Sequence, residues 1–216
     1  CVIANPPFSL ENWGATEWSS DKYKRNIYGT PSDSCGDYAW IQHMICSMSS
    51  GKGRMAVVMP QGILFRGNQE AEIRKQLVES DLIEAVVTLG DKLFYGTGLS
   101  PFFFLIRRMK QAHHSGRILM IDGSKILTQK RAQNILEEND IDRLYSLYQN
   151  YSDEEDYSRI VTLQEIRDKE YNLSPNRYVV YHKEEIRPYA EVLAEFKQAY
   201  ADVKRLENEF SLLINA

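Results

Sequence analysis

The chain has 216 residues, of which 26% are charged, a formal net charge of −4 and three cysteines. At roughly 100–200 residues per domain this suits one core domain with an appendage, and the negative charge excludes a free-standing nucleic-acid binder, which brings its own basic surface. No apolar run is long enough to span a membrane, no signal peptide is visible, and the odd, unevenly spaced Cys1, Cys35 and Cys46 suit free thiols in a reducing cytosol rather than disulfides or metal ligands. The chain opens on Cys1 without an initiator Met and in mid-strand, the expectation for a piece of a larger protein whose N-terminal part is missing.

In chain order, Val2-Ile3-Ala4 reads as the end of a strand that breaks into a turn at Asn5-Pro6-Pro7-Phe8. Residues 9–36 hold Trp13, Trp18, Gly29, Pro31 and Gly36 without a period and predict a long loop, which beside a turn is usually functional or mobile. Its cluster Lys22-Tyr23-Lys24-Arg25 joins an aromatic to three cations and is the best candidate for touching a nucleic-acid strand, against the alternative of a solvated surface. Asp37 is placed to cap a helix to about Ser49, with Tyr38, Ile41, Ile45 and Met48 inward.

The run from Arg54 to Pro60 predicts a buried strand, as do Leu82 to Leu89, Ser100 to Ile106 and Arg117 to Asp122. Gln69 to Ser80 carries Ile73, Leu77 and Val78 at helical spacing. Arg107-Arg108 with Lys110, Lys130-Arg131 and the pair His113-His114 read as surface. A helix is expected over 131–151 with a break near Asp140, then a short strand at 160–162, a short helix, and one long helix from Pro188 to Ile214. In that last helix Tyr189, Leu193, Phe196, Tyr200, Val203, Phe210 and Ile214 fall at alternating steps of four and three, interrupted by Glu207, which suits either a coiled-coil-like stripe or packing on its own domain. Strands alternating with helices argue a twisted α/β sheet, with segments 1–125, 126–183 and 184–216 as its expected organisation.

The turn suits one chemistry in particular. An exocyclic amino group on a nucleobase is a poor nucleophile because its lone pair is delocalised into the ring. Two fixed acceptors that hold its hydrogens can turn that lone pair toward a methyl donor. The Asn5 side-chain oxygen and the Pro6 carbonyl can be those acceptors, and each precedes a proline that restricts its backbone to extended conformations. Acceptors preorganised toward charge that develops in the transition state give catalysis. Phe8 offers a flat face to a base flipped out of a duplex. The competing reading is a common Asn-Pro turn with Phe8 as a core anchor.

With these residues in hand, the chain resembles the modification (methyltransferase) subunit of bacterial type I restriction-modification systems, an adenine-specific DNA methyltransferase. The resemblance rests on Val2 to Ser9, Asp37-Tyr38-Ala39-Trp40 with Gln42-His43, Gly53 to Pro60 with Gly62, Leu64-Phe65-Arg66-Gly67, Ile73-Arg74-Lys75, Leu93 to Gly98, and Asn172-Leu173 through Arg177-Tyr178. It implies the C-terminal part of a Rossmann-like, S-adenosylmethionine-dependent methyltransferase sheet, mixed and mostly parallel, with a helical C-terminal extension. It implies methylation of adenine in double-stranded DNA from S-adenosylmethionine, and partnership with a specificity subunit, a second modification subunit and a restriction subunit. By this likeness Asn5, Pro6, Pro7 and Phe8 are the catalytic turn, Asp37, Tyr38 and Trp40 lie near the cofactor, and Phe94 or Tyr95 packs the other side of the base unless it is a core aromatic. Two departures stand out: Leu89-Gly90 replaces the usual Leu-Pro, and the family's Gly-rich cofactor loop, which lies upstream of the turn, is not in this chain. Gly96-Thr97-Gly98 precedes a strand and is no substitute. The same turn also serves acceptors in RNA or a protein glutamine amide, and a non-catalytic assembly module is the third alternative.

Overall fold

A computed structural model describes residues 1–94, 100–131, 133–182 and 188–214, with side chains to 211 in the last stretch. The chain forms two units, Cys1–Tyr181 and His182–Ala216. The first is built on a six-stranded sheet of β1 (Val2–Ala4), β2 (Arg54–Pro60), β3 (Ile83–Leu89), β4 (Pro101–Arg107), β5 (Arg117–Gly123) and β6 (Ser158–Thr162), in the order β1-β2-β4-β3-β5-β6. The expected mixed, mostly parallel α/β sheet is present, with β1, β2, β3 and β5 running in one direction and β4 and β6 against them. β1/β2 and β3/β5 are parallel, while β2/β4, β3/β4 and β5/β6 are antiparallel. The link from Leu89 to Pro101 is shorter than the crossover of a dozen or more residues that a parallel return takes, so β4 runs back between β2 and β3.

Helices cover both faces, which is why all seven β3 residues are buried. On one face α2 (Asp37–Ser47) and α3 (Asn68–Glu79) pack Tyr38, Ile41, Ile45, Ile73 and Leu77 against Val86, Phe102, Phe104 and Ile106. On the other, α4 (Glu138–Asn150) brings Leu144 and Leu147 onto Ala85, Val87, Leu119 and Ile121. The register of β3 shifts between Ile83 and Ala85. That bulge changes the alternation of the strand, so Ile83 and Val86 share one core while Ala85 and Val87 share the other.

Several local expectations change. The stretch 9–36 contains a short helix, α1 (Ala15–Ser19), anchored by buried Trp18. Gly36, not Asp37, occupies the cap of α2, and Asp37 is its first helical residue. α4 begins at Glu138 rather than near 131, because Glu137 and Asp140 form a capping box there and the preceding segment is pinned by a Thr128–Ile135 bridge. Asp140 therefore marks the start of the helix. A second capping box, Thr162 with Glu165, starts α5 (Leu163–Asp168).

The cluster Arg107, Arg108 and Lys110 is structural rather than solvated. Arg107 Nε pairs with Glu84 at 2.6 Å, Arg108 donates to the Ile45 carbonyl at 2.8 Å, and the Lys110 ammonium, 4% exposed, bridges Asp81 and the Arg117 carbonyl. His114 is buried beside Glu84, not in a surface loop. The second unit consists chiefly of α6 (Tyr189–Ile214), on which Tyr189, Phe196, Tyr200, Val203 and Phe210 are exposed.

Candidate active site

β1 pairs in parallel with β2 through Ala4 and Val57, so Asn5 emerges at the carboxyl end of a parallel pair, where α/β sheets place ligands. Asn5 and Pro7 are exposed, and Pro6 and Phe8 are half-buried. The chain then turns at Phe8 and Ser9, with Ser9 at φ 50°. A non-glycine residue there costs about 1–2 kcal/mol and has to be held in place. The Ser9 amide donates to Asp37 Oδ1 at 2.7 Å, and its hydroxyl reaches Oδ2 at 3.5 Å.

Asp37 is fully buried at the first turn of α2, where the helix dipole favours a carboxylate. Its Oδ2 also accepts from Cys35 Sγ at 3.2 Å and Arg66 Nη1 at 3.4 Å. Burial, chiefly, pushes the Cys35 thiol up to about 12, so it stays protonated and donates. Arg66 Nη1 further contacts Cys35 Sγ at 3.1 Å and Glu70 Oε1 at 3.5 Å. Ser9, Ser34, Cys35, Arg66 and Asn68 line an open cleft of about 490 Å³ beside the turn.

Phe8 and Phe94 meet edge to face, with ring centroids 6.2 Å apart at 66°. Tyr95 lies outside the described residues. Asp37 and Tyr38, expected near the cofactor, both face inward. Neither has exposed surface; Asp37 is committed to Ser9, and the Tyr38 hydroxyl donates to the Ile63 carbonyl at 2.9 Å. Trp40 instead borders a second cleft, of about 420 Å³, with Trp13, Trp18, Arg25 and His43.

Arg25, expected beside Lys22 and Lys24 as a nucleic-acid contact, is engaged within the chain. It bonds both oxygens of Asp21 at 2.6 and 2.9 Å, stacks 4.9 Å from Trp18 and contacts His43 Nδ1 at 3.2 Å. This pairing holds the Asp21 carboxyl well below the usual range, the Arg25 hydrogen bond being the largest cause. Lys22 and Lys24 remain exposed, with the Lys22 ammonium 4.8 Å from the Tyr23 ring centroid.

Sequence reasoning gave no role to Arg66, Glu70 or Arg74. The available signal was Glu70 and Arg74 on the inward stripe of α3 with Ile73 and Leu77, where a charge must find a buried partner.

Residues 1–186 match the N-6 DNA Methylase family. The chain belongs to that family. Among its relatives, the MjaVII methylase subunit of a type I restriction enzyme from Methanocaldococcus jannaschii is 35% identical over 96% of this chain and 37% of its own length. The HindI methylase subunit from Haemophilus influenzae is 30% identical over 96% of this chain and 49% of its length. The chain thus spans less than half the length of either. Of solved structures, a type I restriction-modification methyltransferase subunit from Streptococcus thermophilus superposes with a TM-score of 0.75 at 28% identity, over 82% of this chain and 37% of that one. The EcoKI M protein shares the fold at a TM-score of 0.58 and 18% identity, over 97% of this chain and 49% of its own. The resemblance read from the sequence is therefore borne out.

Gly90 has a physical reason in this chain. A Cβ there would lie 2.1 Å from Leu127 Cδ2 and 2.8 Å from the Ser124 carbonyl oxygen. The segment after β5 closes onto this glycine, and the ring of a proline would collide with it.

Proposed function

We propose that this chain is the part of a type I modification subunit that holds the target base, and that the whole subunit transfers a methyl group from S-adenosylmethionine to the exocyclic nitrogen of a flipped adenine in double-stranded DNA. The observation that carries the reading is an exposed Asn5 immediately beyond a parallel strand pair, on a turn fixed by a buried carboxylate and opening beside a cleft. Asn5 Oδ1 and the Pro6 carbonyl accept the two amino hydrogens and draw the nitrogen lone pair out of the ring plane toward the methyl carbon. S-adenosylmethionine would supply the methyl group when bound to the whole subunit, and the amino proton, acidified by methylation, would pass to water. Phe8 stacks on the base, with Phe94 bracing it edge-on.

The family uses S-adenosylmethionine. Among the described residues, Asp37 and Tyr38 do not fit a cofactor cradle, since both are buried and engaged. No step is assigned to donor-binding groups here. On this reading the 216-residue chain alone binds S-adenosylmethionine negligibly; titration calorimetry giving a micromolar constant for it would contradict the point.

Partners follow from the same reading: double-stranded DNA, a specificity subunit, a second modification subunit and a restriction subunit, in the cytoplasm. The exposed stripe of α6 suits docking against another helical face. No helix among the described residues is long and apolar enough to cross a membrane. Lys22 and Lys24 are the candidate phosphate contacts, and with a net charge of −4 most of the grip on DNA comes from other chains or segments. The test is methyl transfer by the full-length protein with its specificity subunit, offered duplex DNA, RNA and protein. Label on DNA, recovered as N6-methyladenine, is expected. Label on RNA or on glutamine amides, or no transfer at all, would reject the assignment.

A further inference from the structure

We propose that Asp37 and Arg66 form a positioning clamp that sets the catalytic turn from behind, without touching the substrate. This rests on the turn's proposed role, and it assigns function to residues outside Asn5-Pro6-Pro7-Phe8.

The geometry is a relay. Arg74, 2% exposed, donates to the carbonyls of Ile63 at 3.1 Å, Arg66 at 2.8 Å and Tyr171 at 2.8 Å, and so fixes the backbone that carries Arg66. Arg66 then reaches Asp37 Oδ2 at 3.4 Å and Ser9 Oγ at 3.4 Å, and Asp37 Oδ1 takes the Ser9 amide at 2.7 Å. Gly62 is part of the device: a Cβ at that position would lie 2.6 Å from both Nε and Nη2 of Arg66, so only glycine lets the guanidinium lie where it does.

Electrostatics make the arginine necessary. Ligand atoms of Cys35, Asp37 and Glu70 lie within 4.8 Å of one another, two of them carboxylate oxygens on buried residues. Such a pair requires a cation, and Arg66 Nη1 contacts all three groups. The guanidinium takes the place a metal ion would occupy.

The consequence for the reaction is directional. The left-handed Ser9 is held by the Asp37 bond to its amide. Without that bond the residue relaxes toward negative φ, and the chain leaving Phe8 swings, carrying the Asn5 and Pro6 acceptors off line. A misplacement of about 1 Å in such a group can cost about a hundredfold in rate.

The experiment uses the full-length protein with its specificity subunit and compares wild type with Asn5→Ala, Arg66→Met, Arg66→Lys, Gly62→Ala and Asp37→Asn. Each is measured for turnover, for affinity toward DNA and S-adenosylmethionine, and for hydrogen exchange of the peptide spanning residues 5–9. Arg66→Met leaves the buried Asp37 and Glu70 carboxylates without their cation and lowers stability, so the thermal midpoint of each variant is measured and turnover is read well below it on folded protein. Arg66→Met and Gly62→Ala should each lower turnover by about a hundredfold, with both affinities within about twofold and faster exchange over the turn. Arg66→Lys, which keeps the cation, should recover at least about tenfold. Wild-type turnover in Arg66→Met and Gly62→Ala, with exchange unchanged, overturns the clamp even where Asn5→Ala is inactive. Turnover falling only in proportion to lost binding overturns it as well. Faster exchange in a protein whose wild type methylates no DNA would instead leave the clamp standing and reject the role of the turn.

Discussion

Asn5 is exposed while the carboxylate that fixes its turn has no exposed surface, and this division of labour is what a preorganised acceptor needs. On the proposed role, the acceptor faces outward while the carboxylate that aims it is packed away. Asn5-Pro6-Pro7-Phe8 was legible because two prolines in series restrict the backbone wherever they occur. Asp37 was legible as important but not in kind: its spacing suggested a cap or a cofactor contact, and only the fold brings Ser9 to it from 28 residues away. Arg25 read as one of an exposed basic cluster, and only the structure shows it paired with Asp21 four residues earlier. Gly90 makes a prediction at this scale. Gly90→Ala forces Leu127 and the 124–127 segment aside and should cost about 1–3 kcal/mol, the usual penalty of overpacking. Denaturant unfolding measures it, and an unchanged midpoint would show that Leu127 yields freely.

Strands and helices with unbroken apolar patterns were readable nearly to the residue, as for β2, α3 and β5. Elements defined by contacts distant in sequence were not. The run that became β4 read correctly as a strand, but nothing in it states that it returns antiparallel between β2 and β3. α4 starts late because of a local capping box. The bulge in β3 admits Glu84 to a buried network joining three elements and the 112–114 turn: Arg107 on β4 at 2.6 Å, Tyr148 on α4 at 3.1 Å and His114 at 3.2 Å, whose ring stacks 3.5 Å from that of Tyr151. Burial, chiefly, holds the His114 imidazole below its ordinary value of 6.5, with the cations of Arg107 and His113 adding to the effect and Glu84 opposing it. The folded value is therefore below the unfolded one, and the unfolded chain binds the proton more readily. The contribution is complete above about pH 6.5 and is lost as pH falls through the folded value. The thermal midpoint should drop on acidification below that point, and drop less steeply in His114→Phe, which keeps the stack on Tyr151. Parallel acid limbs for the two proteins would refute the assignment.

At the scale of the molecule, several basic residues are spent on pairs within the chain, as in Arg66 with Asp37, Arg107 with Glu84 and Arg167 with Glu79. With a net charge of −4 the chain offers little surface for gripping DNA, and it belongs to a family whose relatives are more than twice as long. The sequence conveyed the family through a short motif and the order of elements after it. It could not convey the support behind that motif, which is assembled from α2, α3 and the loop before α3. The central claim is that Asn5 supplies one of two fixed acceptors to an amino group, and the most direct measurement is methyl transfer by the full-length complex carrying Asn5→Ala. Because Asn5 is exposed, the account predicts an unchanged thermal midpoint and DNA affinity with turnover at least about a hundredfold lower, the loss typical of removing a transition-state hydrogen bond. Turnover within a fewfold of wild type would contradict it.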